Sequence, residues 1–324
     1  MESSRNAVIV ADGGGSKTDL ALLSIDGSLL ARQLLPAFPP YEEGPARTAQ
    51  KLDDAIRPLL QAAGQPRVVM AALCFAGLDW DYEKADFREA VSRFPWAQQG
   101  LLADTDTFPL LRAGTDAATA VAVICGTGMN CVGRRADGAQ AWFAAVGETS
   151  GDWGGGWTLG MEAIWHAARA ADGRGPATVL QELTPKALGC ASMDEVTLGF
   201  HTDRLNYRDI KSLAPVIFDA VAAGDEVASR VVDRQADEIV AYAVAAMRRL
   251  DITGECPIVL GGGVIAARHD CLLAAIDAKL AQRAPLAHTV IVTDSPVVGA
   301  GLLAFDALGA TPDVLDNVRA ALHG

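Results

Sequence analysis

Two glycine-rich turns, each flanked by apolar segments, are the parts of this chain best suited to hold a phosphate chain. The first runs from Asp12 through Gly13–Gly15 to Thr18, and the second is Gly126-Thr127-Gly128. Because glycine has no Cβ, the backbone N–H groups of such turns can converge on an anion. Neither turn has the spacing of a P-loop or opens a helix, so each is predicted to join two strands of a hairpin. We therefore expect a duplicated fold whose halves face each other across a cleft.

Charged and hydroxyl residues surround the first turn. Asp12 ends the first predicted strand, and Ser16, Lys17 and Thr18 follow the glycines. A carboxylate beside phosphates would repel them unless a metal lay between, so we expect Asp12 to contact Mg²⁺ through water. The alternative is that Asp12 only shapes the turn. Lys17 either neutralises phosphate or is a solvated charge.

A third glycine run, Gly261–Gly263, follows an apolar strand and precedes a helix. Glycines at this place would let a flat ring or a ribose lie against the backbone. The alternative is an ordinary turn between a strand and a helix.

The composition excludes several classes of protein. The chain has 324 residues, half of them apolar, and a net charge of −13, which argues against a nucleic-acid partner. No apolar run reaches about 18 residues and no signal-peptide pattern opens the chain, so we expect a cytoplasmic protein without a membrane span. The six cysteines include no C-x-x-C pair and are expected to be buried free thiols. The histidines lack metal-ligand spacing.

The order of predicted elements indicates an α/β fold with two domains. The first half reads βββαβαβ, which favours a mixed sheet with helices. The first domain is expected over 1–115, with a final helix over 309–324 able to pack on it. The second is expected over 116–308, with a helical insertion at about 158–250.

Five segments together resemble the landmarks of the sugar kinase, actin and heat-shock ATPase superfamily. They are most similar to N-acetylglucosamine kinases and the BadF/BadG/BcrA/BcrD ATPase group: Asp12–Asp19, Cys125–Asn130, Gly151-Asp152, Leu260–Gly263 and Pro296–Gly301. The resemblance implies two ribonuclease-H-like (actin-like ATPase) domains with mixed sheets flanked by helices, and ATP with Mg²⁺ in the cleft. It also implies that Gly13–Thr18 and Gly126–Gly128 hold the phosphates and that Gly261–Gly263 lie beside the adenosine.

A sugar kinase needs a carboxylate near the γ-phosphate to take the proton of the attacking hydroxyl. Asp104 and Asp106 both follow a short predicted strand and both qualify. The family resemblance favours Asp106 as the catalytic base, in contact with the sugar, and Asp104 remains the alternative.

The glycine-dense loop from Gly147 to Gly156 resembles the family's sugar-binding loop. Gly147 and Asp152 match its pattern, whereas Trp153 stands where the amino-sugar kinases have glutamate. Trp153 either stacks on a sugar or is a buried aromatic. Thr127 and Asn130 match further sugar-contacting positions. Pro39-Pro40 departs from the family, which often has an asparagine facing the sugar there.

The resemblance implies ATP-dependent phosphorylation of an amino sugar, N-acetylglucosamine or glucosamine, at position 6. It also implies a homodimer. One alternative is an ATPase that activates a partner enzyme, as the activators of 2-hydroxyacyl-CoA dehydratases do, although the paired cysteines of that group are missing. The other alternative is a sugar sensor without catalytic activity.

Overall fold

The computed structural model describes residues 6–15 and 17–323 of the chain. Within them the chain forms two five-stranded sheets with helices around them. The first sheet contains β1 (Asn6–Gly13), β2 (Lys17–Ser24), β3 (Leu29–Pro36), β4 (Arg67–Phe75) and β5 (Leu101–Asp104). The second contains β6 (Ala120–Cys125), β7 (Met129–Arg134), β8 (Gln140–Trp142), β9 (Cys256–Gly261) and β10 (Ala287–Ile291).

The helices account for most of the remaining chain. They are α1 (Pro40–Glu43), α2 (Pro45–Ala62), α3 (Asp81–Ser92), α4 (Thr107–Gly114), α5 (Gly155–Ala171), α6 (Leu180–Ala187), α7 (Met193–His201), α8 (Ala214–Ala222), α9 (Glu226–Arg249), α10 (Gly263–Ala266), α11 (Asp270–Arg283), α12 (Pro296–Ala307) and α13 (Pro312–Leu322). Short 3₁₀ helices cover Pro95–Ala97, Gly147–Ser150 and Tyr207–Leu213. Among the described residues, no helix combines the length and the apolar character that crossing a membrane requires.

The first sheet is mixed, as predicted. Its strand order is β3-β2-β1-β4-β5, with β1 antiparallel to β2 and parallel to β4. Strand β1 is central and is covered on both faces, because successive side chains of a strand point to opposite sides. Ala7, Ile9 and Ala11 belong to one apolar core, and Val8 and Val10 to the other.

The second sheet repeats the arrangement of the first. Its order is β10-β9-β6-β7-β8. Read from its other end, this order is β8-β7-β6-β9-β10. If β6 to β10 are numbered one to five, both sheets have the strand order 3-2-1-4-5. The predicted fold class, a duplicated α/β fold with two mixed sheets, is therefore confirmed.

The chain divides into two compact units that do not follow a single cut in the sequence. Within the described residues, the first unit takes residues 6–15, 17–122, 142–144 and 292–323, and the second takes 123–141 and 145–291. The predicted second domain extended to residue 308, whereas its unit ends at Ile291. The difference is α12, whose apolar residues Val297 and Leu302 join the core formed by β1 and β4.

Helix α12 reaches this place because it can approach α4 closely. A Cβ on Gly299 would lie 1.8 Å from the carbonyl oxygen of Pro109, so only glycine allows the two backbones to pack at this distance. The last helix, α13, adds Val318 and Leu322 to the same core of the first unit.

The cysteines are free thiols. All of them are buried except Cys271, whose position on α11 is exposed, so the expectation of buried thiols is wrong at that one position.

Candidate functional site

The first glycine turn lies in the first unit, where it joins β1 to β2. The N–H group of Gly14 donates to the carbonyl of Lys17 at 3.0 Å and closes the turn. A Cβ on Gly13 would lie 2.2 Å from the Phe75 ring, so Gly13 serves packing. A Cβ on Gly14 would meet nothing within 4 Å, and one on Gly15 only the Tyr41 hydroxyl at 3.7 Å. The face of the loop at Gly14 and Gly15 is therefore open to an anion, while Ser16 lies outside the described residues.

Asp12 lies beside this turn and is only 9% exposed. Burial, together with the charges of Asp106 and Asp19, raises its pKa well above the usual value, and Lys17 opposes the shift. Carboxylates gathered in a buried place favour a cation. Among the described residues no group of three or more His, Cys, Asp and Glu side chains is arranged to hold a metal ion directly. The residues present fit a Mg²⁺ contacted by Asp12 through water better than one enclosed by side chains.

One polar atom near the turn lacks a partner. The hydroxyl of Thr18, a residue that pairs with Gly13 in the β1–β2 register, is buried without a hydrogen-bond partner among the described residues. A buried hydroxyl without a partner costs free energy unless a ligand or water satisfies it. Because Thr18 is fully buried, an anion at the turn could reach this hydroxyl only after a local rearrangement.

The two candidate bases, Asp104 and Asp106, have different surroundings in the first unit. A carboxylate oxygen of Asp104 lies 2.6 Å from Nζ of Lys84 and accepts the N–H of Thr105 at 2.9 Å. Asp106 precedes α4 but accepts no capping hydrogen bond from it. Within the described residues Asp106 has no ion pair. Among the described residues, Asp104 is thus held in an ion pair and Asp106 is not.

The environment of Asp106 suits a general base. Burial and then the charge of Asp79 raise the pKa of Asp106 to about 7, and a hydrogen bond from Thr105 opposes the rise. The Thr105 hydroxyl lies 3.1 Å from Oδ1 of Asp79 and 3.4 Å from Oδ1 of Asp106, so it links the two carboxylates. A base with a pKa near 7 is partly ionised at neutral pH and still binds a proton well.

Sequence reasoning did not identify Asp79. A signal was available, because Asp79 follows β4 closely, and β4 and β5 are parallel, so the residues after them meet at one edge of the sheet.

In the second unit, three glycine segments converge around the loop between β6 and β7. The N–H of Gly156, in the first turn of α5, donates to the carbonyl of Gly126 at 2.7 Å. A Cβ on Gly155 would lie 2.6 Å from the Gly128 carbonyl oxygen, and one on Gly262 would lie 2.5 Å from the Cys125 carbonyl. The predicted segments Gly126–Gly128 and Gly261–Gly263 are therefore neighbours, and both pack without side chains in between.

A buried glutamine on α9 holds this cluster from behind. Gln235 is fully buried, and its Oε1 accepts the N–H of Gly155 at 2.9 Å. A Cβ on Gly154 would lie 2.6 Å from its amide nitrogen. Nothing near Gln235 in the sequence indicates this role, because the contact joins residues far apart along the chain.

Asp152 organises the predicted sugar-binding loop. Its carboxylate accepts hydrogen bonds from the N–H of Gly147 at 3.0 Å, from the Ser150 hydroxyl and from the Tyr242 hydroxyl. A carboxylate has about four lone-pair sites, so this set leaves capacity for a ligand hydroxyl.

The other residues predicted around the sugar are also in the second unit. The side-chain oxygen of Asn130 accepts the N–H of Cys131 at 2.7 Å, and Thr127 is exposed on the β6–β7 loop. The guanidinium carbon of Arg234 lies 4.1 Å from the centroid of the Trp153 ring. One face of Trp153 is thus covered by Arg234, and the side chain is half-buried.

Comparison with known proteins identifies the family of this chain. Residues 11–304 match the BadF/BadG/BcrA/BcrD ATPase family. The chain belongs to this family. Its relatives include the N-acetyl-D-glucosamine kinase of Dictyostelium discoideum, 24% identical over 94% of this chain and 99% of the relative. The N-acetylmuramic acid/N-acetylglucosamine kinase of Clostridium acetobutylicum is 27% identical over 80% of this chain and 85% of the relative.

Solved structures share the fold. A candidate N-acetylglucosamine kinase from Chromobacterium violaceum has a TM-score of 0.71 and 25% identity, over 93% of this chain and 99% of that chain. A ROK-family glucokinase from Streptomyces griseus, solved with glucose and AMPPNP, has a TM-score of 0.56 and 17% identity, over 93% of this chain and 99% of that chain. The predicted resemblance to the BadF/BadG/BcrA/BcrD group is confirmed.

Removing the Tyr242 hydroxyl tests the role of the predicted sugar-binding loop, Gly147 to Gly156, in this family member. Tyr242→Phe deletes the donor to Asp152 and keeps the ring, so we expect a loosened loop. A lost hydrogen bond to a charged group corresponds to about a tenfold rise in KM for the sugar. Steady-state kinetics with sugar and ATP varied separately would measure it, and the KM for ATP should change less than twofold. An unchanged KM for the sugar would contradict the role of the loop.

Proposed function

We propose that this ATPase-family protein uses ATP to phosphorylate an amino sugar, N-acetylglucosamine or glucosamine, on its 6-hydroxyl. Membership in the family supports the use of ATP. The names of its curated relatives support an amino sugar as acceptor. The departures at Trp153 and Pro39-Pro40 leave the state of the amine, free or acetylated, to experiment.

The observation that carries the proposal is the state of Asp106. It lies beside Asp79, it has no ion pair within the described part of the chain, and its pKa is raised to about 7. A carboxylate in this state can accept the proton of the 6-hydroxyl as that oxygen attacks the γ-phosphorus. Asp104, by contrast, already holds Lys84 in an ion pair.

The remaining residues are proposed to bind and align the two substrates. In the first unit, Gly13–Gly15, Ser16, Lys17 and Thr18 would bind phosphate oxygens. In the second, Gly126–Gly128 would do the same and Gly261–Gly263 would lie beside the adenosine. Open space at Gly14, Gly128 and Gly263 supports a close approach of ligand to backbone. Alignment and charge neutralisation supply most of the catalysis of phosphoryl transfer.

Asp12 is proposed to hold Mg²⁺ through water, with the metal neutralising phosphate charge when bound. Its raised pKa and its carboxylate neighbours support a nearby cation. The sugar is proposed to contact Thr127, Asn130, Gly147 and Asp152 in addition to Asp106.

A panel of sugars tests the proposal. ADP release would be measured with N-acetylglucosamine, glucosamine, N-acetylmuramic acid, N-acetylmannosamine and glucose, each with and without ATP and Mg²⁺. We expect sugar-stimulated turnover with an amino sugar, and a 6-phosphate product by NMR. Sugar binding without ADP release would favour a sensor, and turnover without any sugar would favour an ATPase that drives a partner.

The proposal extends to a cytoplasmic homodimer, as the resemblance implies. Light scattering tests the dimer against the 33.8 kDa mass of one chain. A species with the mass of one chain at working concentration would contradict it.

The pH dependence of turnover follows from Asp106. A raised pKa means that the carboxylate is protonated, and inactive as a base, below about 7. We expect kcat/KM to fall about tenfold for each pH unit below that value. Asp79→Asn removes the charge that helps to raise the pKa of Asp106, so the acid limb should move to lower pH by about one unit. A pH profile of both proteins measures this, and an acid limb that stays in place would remove Asp79 from the site.

A further inference from the structure

The side chain of Tyr41 lies beside the first glycine turn. Its hydroxyl is 3.7 Å from the position of a Cβ on Gly15. Asp106 is part of its electrostatic surroundings, because burial, then the charges of Glu42 and Asp106, and a hydrogen bond to Glu42 raise the pKa of the Tyr41 hydroxyl. All of these residues belong to the first unit. A phosphate bound at the first glycine turn and the proposed base must come together for phosphoryl transfer. The Tyr41 hydroxyl could donate a hydrogen bond to that phosphate.

The chain fixes Tyr41 although the side chain is 57% exposed. A Cβ on Gly77 would lie 2.4 Å from Cδ1 of Tyr41 and 3.0 Å from its Cβ and Cγ, so the ring rests directly on the Gly77 backbone. Gly77 also has a φ of +80°, which favours glycine. The missing side chain of Gly77 thus leaves room for the Tyr41 ring, and the backbone conformation independently favours glycine at this position.

The short helix that carries Tyr41 is anchored at both ends. Before it, the Thr48 hydroxyl donates to the carbonyl of Phe38 at 2.9 Å, and Pro39-Pro40 restrict the backbone. At its end, Glu43 pairs with Lys51 at 2.6 Å and with Arg47 at 2.9 Å. An exposed tyrosine held by its backbone, its ring and the ends of its helix is positioned for contact with a ligand.

We propose that Tyr41 is a further substrate-contacting residue, whose hydroxyl donates a hydrogen bond to the γ-phosphoryl group held at the first glycine turn. The inference rests on the proposed function for the identity of the phosphoryl donor. A neutral hydroxyl suits this place, because Asp12 and Asp106 already bring negative charge and the phosphoryl oxygens need a donor. A phenol with a raised pKa keeps its proton at neutral pH.

Two measurements on Tyr41→Phe test the inference, because this change deletes the hydroxyl and keeps the ring on Gly77. A hydrogen bond to a charged group corresponds to about a 10- to 100-fold effect. We expect kcat/KM for ATP to fall by that factor, through a higher KM for ATP, while KM for the sugar changes less than twofold. We also expect binding of AMPPNP with Mg²⁺, measured by calorimetry, to weaken by the same factor while binding of ADP stays the same.

The binding measurement keeps the inference separate from the choice of sugar. If the wild-type protein phosphorylates no sugar of the panel, the proposed function fails, but the comparison of AMPPNP with ADP still decides the role of Tyr41. Tyr207→Phe is the matched control, since Tyr207 is 53% exposed and lies in the second unit, and it should leave both measurements unchanged. Equal affinities of wild type and Tyr41→Phe for AMPPNP, or equal losses for AMPPNP and ADP, would overturn the inference.

Discussion

Asp106→Asn is expected to lower kcat about 1000-fold and, at the same time, to stabilise the fold. The loss of activity follows from removing the general base, which contributes a factor of about 10²–10⁴ in enzymes of known mechanism. Asparagine keeps the size and can still contact Thr105, so binding of ATP and sugar should be retained. Single-turnover measurements with the best sugar of the panel, at pH 8, would give the rate.

The gain in stability follows from the sign of the pKa shift. A folded-state pKa of about 7, above the usual 3.8, means that the native state binds the proton more tightly than the unfolded state. The ionised carboxylate therefore destabilises the native state as pH rises from 3.8 through about 7. Because Asp106 is partly exposed, we expect asparagine to add on the order of 2 kcal/mol to the free energy of unfolding at pH 8.

Asp104→Asn is the matched control for this variant. It breaks the ion pair with Lys84 and should reduce stability while keeping most of kcat. If Asp104→Asn lost more activity than Asp106→Asn, the assignment of the base would be reversed. If Asp106→Asn kept more than a tenth of the wild-type rate, no general base at this position would be needed.

Gly14→Ala is expected to abolish most ATP binding without harming the fold, and Gly13→Ala to do the opposite. A Cβ on Gly14 meets nothing within 4 Å, and its φ lies outside the left-handed region, so alanine fits the protein alone. The new methyl group would occupy the space that phosphate needs, and we expect affinity for ATP to fall about 100-fold, which corresponds to about 2.7 kcal/mol. Calorimetric titration with AMPPNP and Mg²⁺ measures it.

The neighbouring glycine supplies the contrast. A Cβ on Gly13 would lie 2.2 Å from the ring of Phe75, so alanine there should cost about 1–3 kcal/mol of stability. Thermal denaturation of both variants separates the two effects. Normal binding of the nucleotide by a stable Gly14→Ala protein would mean that the phosphates do not use this turn.

Features set by neighbouring residues were predictable from the sequence. The hairpin at Gly13–Gly15 could be predicted because glycines stand between apolar strands, and the last helix was predicted within 309–324 and spans Pro312–Leu322. The family could also be recognised from the sequence, because its motifs are short and continuous.

Features set by distant residues were not predictable. The choice between Asp104 and Asp106 depends on Lys84, which lies on another helix. The contacts of Tyr41 and Gln235 join segments far apart in the chain. The membership of α12 in the first unit depends on a close approach to α4 that only Gly299 allows.

The split composition of the first unit has a consequence for how the protein is made. During synthesis, residues 123–291 leave the ribosome before α12 and α13 exist, so the second unit has all its parts while the first does not. Until then, the face of the first sheet with Val8, Val10 and Leu23 has no cover. An uncovered apolar sheet is prone to aggregate, so the first unit of this chain is exposed to aggregation for longer during synthesis than the second.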